Sequence, residues 1–137
     1  QVKVEHGITA HLMVLGEERE FSPEIEVTLF RIIQEALRNI VRHAEATEVW
    51  VTVDFESKET IINVVDNGKG FELPASLGEL SRLGKLGVDG MQTRARLVGG
   101  TFDIQSSPGD GTAIAVVIPD WARTTEPLAK DRLVLGS

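Results

Sequence analysis

Residues 21–44, "FSPEIEVTLFRIIQEALRNIVRHA", constrain the fold more than any other stretch of this chain. Ile25, Leu29, Ile32, Ile33, Ala36, Ile40 and Ala44 recur at intervals that place them along one side of a helix. Ser22 is a natural N-cap and Pro23 suits the first helical position, while Glu24 and Glu26 complement the positive end of the helix dipole. The spacing predicts one amphipathic helix over 23–44. Its apolar stripe must be covered by another layer.

The rest of the chain supplies that layer as strands. "EVWVTVDFE" alternates, "TIINVVD" is rich in β-branched residues, and the polar "SKE" joins them. "GITAHLMVLGEERE" predicts an earlier strand and turn, and "TFDIQSS", "PGDG" and "TAIAVVIP" predict a second hairpin. "GMQTRARLVGG" predicts a second helix, beginning near Gly90 and closed by Gly99 and Gly100. The order is strand, helix, two strands, helix, two strands. It implies a two-layer α/β sandwich: a mainly antiparallel sheet covered on one face by helices, with the other face partly exposed.

Between the third predicted strand and the second helix lies "ELPASLGELSRLGKLGVDG", a connection longer than compact domains usually carry. After Pro119 the sequence "DWARTTEPLAKDRLVLGS" has no clear period, and a loosely ordered tail is expected over 120–137.

Bulk composition narrows the function classes. A chain of 137 residues is expected to form one domain, here over 1–119, burying roughly two-thirds of its unfolded surface. No apolar run approaches the ~20 residues of a membrane span, so no membrane contact by this domain is expected. The charged, alternating start is not a secretory signal. A net charge of −7 argues against a nucleic-acid partner, which needs clustered cations. With no cysteine, disulfides and thiolate chemistry are excluded, which is compatible with a cytoplasmic location. The chain does not begin with Met and is expected to be part of something longer, a parent protein for which a membrane anchor outside this stretch is left open.

Four stretches carry candidate chemistry. On the long helix, Glu35, Arg38, Asn39 and Arg42 share a face by their spacing, with His43 at its boundary. A solvated helix face is the plain reading; a platform for magnesium and polyphosphate is the sharper one, with Asn39 offering a neutral oxygen. "VVDNGKG" ends a strand in a turn. Asp66 there is also placed to accept a hydrogen bond from an amino group such as that of adenine, beside glycines that let a ligand approach the backbone. Gly84, Gly87 and Gly90 precede a helix, whose first amides hold phosphates without cationic side chains, although loop glycines also simply give flexibility. "GDGTA" makes a tight turn before Thr112.

In this order and combination, the four stretches resemble the ATP-binding catalytic domain of bacterial sensor histidine kinases, in the GHKL superfamily with gyrase, heat-shock chaperone ATPases and mismatch-repair ATPases. "RIIQEALRNIVRHAEAT" resembles the N-box of the subfamily that pairs with helix-turn-helix response regulators; "DNGKGF", "GVDGMQTRARLVGG" and "GDGTAIAVVIP" resemble its glycine boxes. The resemblance spans residues 8–119 and implies a Bergerat-type fold, ATP and Mg2+. It implies that Asn39 ligates the metal, that Glu35 is the acid–base or water-positioning group, and that Arg42 and His43 lie near the phosphates. It assigns Asp66 to the adenine amine, Gly68, Gly70 and Thr112 to the base pocket, Gly87 and Gly90 to the phosphate end, and 72–88 to an ATP lid. Lys85 stands where the subfamily usually has glycine, so that it either meets a phosphate or stiffens the lid.

None of His6, His11 and His43 sits in a phosphoacceptor motif. The implied partners are therefore a separate dimerisation domain carrying the acceptor histidine, and a response regulator. The alternatives are an anti-sigma-type serine kinase on the same nucleotide site, or a non-catalytic nucleotide-binding module.

Overall fold

The computed structural model describes residues 2–5, 7–18, 20–74, 79 and 87–119. The tail at 120–137, Lys85 and most of the expected lid lie outside these residues. The elements in chain order are β1 (Val2–Glu5), β2 (Ile8–Gly16), α1 (Pro23–Asn39) with a π-helical turn (Ile40–Ala44), β3 (Glu48–Phe55), β4 (Glu59–Asp66), α2 (Val88–Leu97), β5 (Thr101–Ser106) and β6 (Thr112–Pro119). Among the described residues the strands form one sheet of order β1-β2-β3-β4-β6-β5. Every neighbouring pair is antiparallel except β2 and β3, which α1 connects. Parallel neighbours need such a crossover, so the long helix and the parallel pair have one cause.

Helix α1 starts where its capping residues predict. The Ser22 side chain accepts the N–H of Ile25 at 3.3 Å, and Glu24 and Glu26 occupy the first turn. Ile25, Leu29, Ile32 and Ala36 are buried against the sheet. The sequence expectation of a uniform helix to residue 44 is corrected: the last turn widens into a π turn and ends at Glu45, whose φ of 54° is left-handed. The cause is tertiary. The turn's end is bonded to the loop after β4, where Lys69 N–H donates to the Ala44 carbonyl at 2.8 Å. The Asn67 amide oxygen accepts from the N–H groups of Thr47 and Glu48 at 3.0 and 2.9 Å.

Helix α2 begins at Val88, two residues before the glycine that spacing suggested, because Val88 is buried and Gly87 takes the cap position. Its end follows the expectation. Gly99, at φ 77°, donates to Arg96 O at 2.9 Å and Gly100 to Ala95 O at 2.8 Å, the paired bonds of a glycine-closed helix. Strand β1 is an addition that the sequence reading missed; it pairs with β2 from Val2↔His11 to Glu5↔Ile8.

The core lies between the helices and one sheet face. Ile32 and Ala36 of α1 and Met91 and Ala95 of α2 meet Ile62 and Val64 of β4, Ile104 of β5, and Val116 and Ile118 of β6. The opposite face is half open, with Met13 and Trp50 exposed and the Trp50 ring stacked on His11 at 5.6 Å. The two-layer expectation therefore holds.

Candidate functional site

Strand parity decides which polar groups enter the interior. On β4, Thr60, Ile62, Val64 and Asp66 alternate as the buried set, so Asp66 points to the core side at the strand's last residue. On β6, Ile114, Val116 and Ile118 are buried, and Thr112 shares their parity at the first residue. Register places Asp66 directly opposite Thr112. Two polar side chains therefore end the apolar rows of adjacent strands side by side.

Above them opens a small cavity of about 50 Å³, continuous with solvent. Ala36, Asn39, Ile40, His43 and Ala44 form one wall, from α1 and its π turn. Val64, Ile104 and Ile114 form the opposite wall, and Asp66, Gly70, Phe71 and Thr112 complete it. A slot with apolar walls and a few convergent polar groups suits a flat heterocycle whose polar edge reaches the acid.

Asp66 is only 4% exposed. Burial pushes its carboxyl above the ordinary aspartate range, and the backbone N–H groups of Gly68 and Thr112 pull it back in part. The Gly68 N–H donates to Asp66 Oδ1 at 2.7 Å. One carboxylate oxygen is thus tied to its own loop, in a buried position suited to meeting a ligand donor.

Of the residues singled out by sequence, Asn39, His43, Asp66, Gly70 and Thr112 line this one cavity. Helical spacing had grouped Glu35, Arg38, Asn39 and Arg42 on one face; the structure divides them. Asn39 turns to the cavity, while Arg38 and Arg42 are exposed and outside its wall. Glu35 is half-buried beside α2: a Cβ added at Gly87 would stand 2.8 Å from Glu35 Oε2. The start of α2, with Gly87 and Gly90, therefore meets the functional stretch of α1. Gly68 packs behind the cavity, against the Ala44 carbonyl. Lys85 and Gly84 lie outside the described residues, as does most of the lid.

Sequence reasoning missed Ser106 and Asn67. The Ser106 hydroxyl joins Phe71 N, Gly111 O and Thr112 Oγ1, all within 2.9 Å. Its parity with Phe102 and Ile104 was the available signal, since that alternation turns it inward beside Thr112. Asn67 was quoted within a turn; its side chain in fact caps the start of β3 and donates to Thr47 Oγ1 at 2.9 Å.

Comparison with known proteins bears on family and fold. Residues 24–122 match the family described as histidine kinase-, DNA gyrase B-, and HSP90-like ATPase. The signal transduction histidine-protein kinase/phosphatase DegS of Brevibacillus brevis is 34% identical over 113 residues, covering 82% of this chain and 28% of that protein. The sensor histidine kinase LiaS of Bacillus subtilis is 35% identical over 103 residues, covering 75% of this chain and 27% of LiaS. The chain thus spans less than a third of these relatives. Among solved structures, the histidine kinase domain of the Erythrobacter litoralis EL346 blue-light activated histidine kinase superposes with a TM-score of 0.68 at 20% identity. That match covers 85% of this chain and 57% of the other, and it shows a shared fold. Sequence and fold together establish that this chain belongs to the histidine kinase-, DNA gyrase B- and HSP90-like ATPase family, as an ATP-binding domain akin to those of histidine kinases.

Proposed function

We propose that this domain, over residues 1–119, is the catalytic half of a two-component sensor histidine kinase, binding Mg-ATP and donating its γ-phosphoryl group to a histidine on a separate dimerisation domain. A response regulator aspartate then receives the group. The observation that carries the reading is the buried Asp66 carboxylate at the polar end of an apolar slot whose far wall holds Asn39.

In this reading the adenine lies between the walls, its amine donates to Asp66, and Gly70 and Thr112 border the base. The triphosphate leaves the slot past Asn39 and His43 toward Arg42 and the first amides of α2 at Gly87 and Gly90, where the helix dipole favours negative charge. This explains how a chain of net charge −7 binds a polyanion.

Magnesium fits the donor set. It commonly takes one or two protein oxygens and completes its shell with water and phosphate. Asn39 offers one neutral oxygen at the cavity wall, and among the described residues no cluster of three acidic or histidine ligands competes for the role. Bound there, the ion would neutralise charge on the phosphates. The protein's own part is positioning: Asn39 and the α2 amides hold the triphosphate, and Glu35, beside the start of α2, is the acid–base group. In the transfer, the acceptor imidazole nitrogen bonds to the γ-phosphorus as the bond to the ADP oxygen breaks, and the ring loses a proton.

The test is calorimetric titration of Mg-ATP into the wild type and Asp66→Asn. Loss of a charge-assisted hydrogen bond predicts roughly tenfold or greater weakening. Equal affinity in both refutes the adenine assignment. Transfer to an added acceptor domain, with a product labile to mild acid, separates the histidine reading from a serine kinase or a silent binding module.

A further inference from the structure

The hydroxyl of Ser106 makes three contacts. It accepts the N–H of Phe71 at 2.9 Å, donates to the carbonyl oxygen of Gly111 at 2.8 Å, and stands 2.9 Å from Thr112 Oγ1. A hydroxyl carries one hydrogen. The Gly111 carbonyl has none to give, so the Ser106 hydrogen goes there. The hydrogen in the Ser106–Thr112 contact must then come from Thr112.

This has a consequence for the cavity that Thr112 lines. With its O–H directed at Ser106, Thr112 can turn only lone pairs toward a ligand. Its neighbour across the β4–β6 register is Asp66, which in its ionised form can accept but not donate. Ser106 itself is half-buried and is not among the residues lining that cavity.

We propose that Ser106 is a positioning residue that fixes the polarity of the Thr112 hydroxyl, so that the polar end of the cavity accepts a 6-amino purine and rejects a 6-oxo purine. The inference rests on the nucleotide reading given above. An amine at that place brings two hydrogens to two acceptors. A carbonyl brings lone pairs against lone pairs, and a site built to receive a donor discriminates strongly against a ligand that lacks one. Without the Ser106 hydroxyl, Thr112 is free to rotate and donate its hydrogen to a carbonyl.

The experiment compares inosine triphosphate with ATP, which differ at the 6-position and the adjacent ring nitrogen. Calorimetry with magnesium gives the ratio of their dissociation constants for the wild type, Ser106→Ala, Ser106→Thr and Thr112→Val, with a thermal melt to verify folding. The preference for ATP should fall about fivefold in Ser106→Ala, the scale of one neutral hydrogen bond gained. It should persist in Ser106→Thr, which keeps the hydroxyl. Thr112→Val should also lower the preference, because it removes the opposing lone pairs, and adding Ser106→Ala to it should change the ratio no further. If Ser106→Ala fails to fold, Ser106→Thr and Thr112→Val still decide. A purely structural Ser106 weakens both nucleotides equally and leaves the ratio of Ser106→Ala at the wild-type value, which overturns the proposal alone. A wild type that binds neither nucleotide overturns the nucleotide reading and this proposal together.

Discussion

Gly68→Ala isolates the contact that sets the width of the cavity. Gly68 does not have a left-handed φ, so the substitution brings no backbone strain of that kind. The added Cβ would instead stand 2.2 Å from the Ala44 carbonyl oxygen and 2.8 Å from Ala44 Cβ, where ordinary contact begins near 3.4 Å. Neither obstacle can rotate away, so the loop and the π turn must separate by roughly 1 Å. That movement breaks the Lys69 N–H bond to Ala44 O, now 2.8 Å long. Overpacking costs about 1–3 kcal/mol and the lost bond about 1 kcal/mol more, so a destabilisation of about 2–4 kcal/mol is expected. Urea denaturation at unchanged m measures it. ATP affinity should fall in parallel, since Asp66 Oδ1 is bonded to the Gly68 N–H that moves. Gly109→Ala is the control. Its φ of 86° imposes strain of about 1–2 kcal/mol, but nothing lies within 4 Å of its added Cβ. It should lower stability and leave ATP affinity alone. An unchanged midpoint and affinity in Gly68→Ala would refute the claim that this loop is pinned to the helix end.

Three further outcomes follow from the same structure. Thr60 is 1% exposed and its hydroxyl is the one buried side-chain polar atom without a partner among the described residues. Thr60→Val, which replaces that hydroxyl by a methyl group, is expected to raise stability by about 1 kcal/mol, read as a higher urea midpoint. Ser22→Ala removes the bond to Ile25 N–H and should lower stability by about 1 kcal/mol, with helicity by circular dichroism falling in step. Burial raises the Asp66 carboxyl above its ordinary range, so its charge is a cost to the folded state: this contribution favours folding below the unfolded pKa and is lost as pH rises through the folded one. Ligand binding runs the other way. ATP affinity should weaken as pH falls through the raised value, while Asp66→Asn shows no such step in a pH series of titrations.

What the sequence disclosed depended on the range of each interaction. Helix α1 was legible because Ser22, Pro23 and the Ile25-Leu29-Ile32-Ala36 spacing act within one element. The β5–β6 hairpin was equally local. The strand "TIINVVD" is apolar at both parities, so the inward direction of Asp66 emerged only once the helices covered one face of the sheet. The π turn was hidden because its cause, the bonds from Asn67 and Lys69, comes from a loop more than twenty residues later. Strand β1 was hidden because four residues give too little alternation and its stability comes from pairing with β2. The separation of Asn39 from Arg38 and Arg42 was hidden too. Spacing defines which residues are neighbours on a helix, and only the packing partners define which of them face a cavity.

The glycines of the site have a different basis from the one that spacing alone suggested. Gly68 and Gly70 were read as letting a ligand approach the backbone, and Gly111 as part of a tight turn. At Gly68, Gly70 and Gly111 the space is already taken by protein. An added Cβ would meet Ala44 O at 2.2 Å, Ser107 O at 2.1 Å and Asp66 O at 2.1 Å respectively. The loop after β4 therefore lies against the end of α1 on one side and against the β5–β6 turn on the other, with Gly109 N–H donating to Lys69 O at 2.7 Å. Each contact draws one wall toward the next. Asn39 and His43 come from the helix end, Asp66 from the strand end, and Thr112 from beyond the turn, and they share one cavity because the backbones between them touch. In this chain the glycine-rich stretches serve binding by first closing the protein on itself.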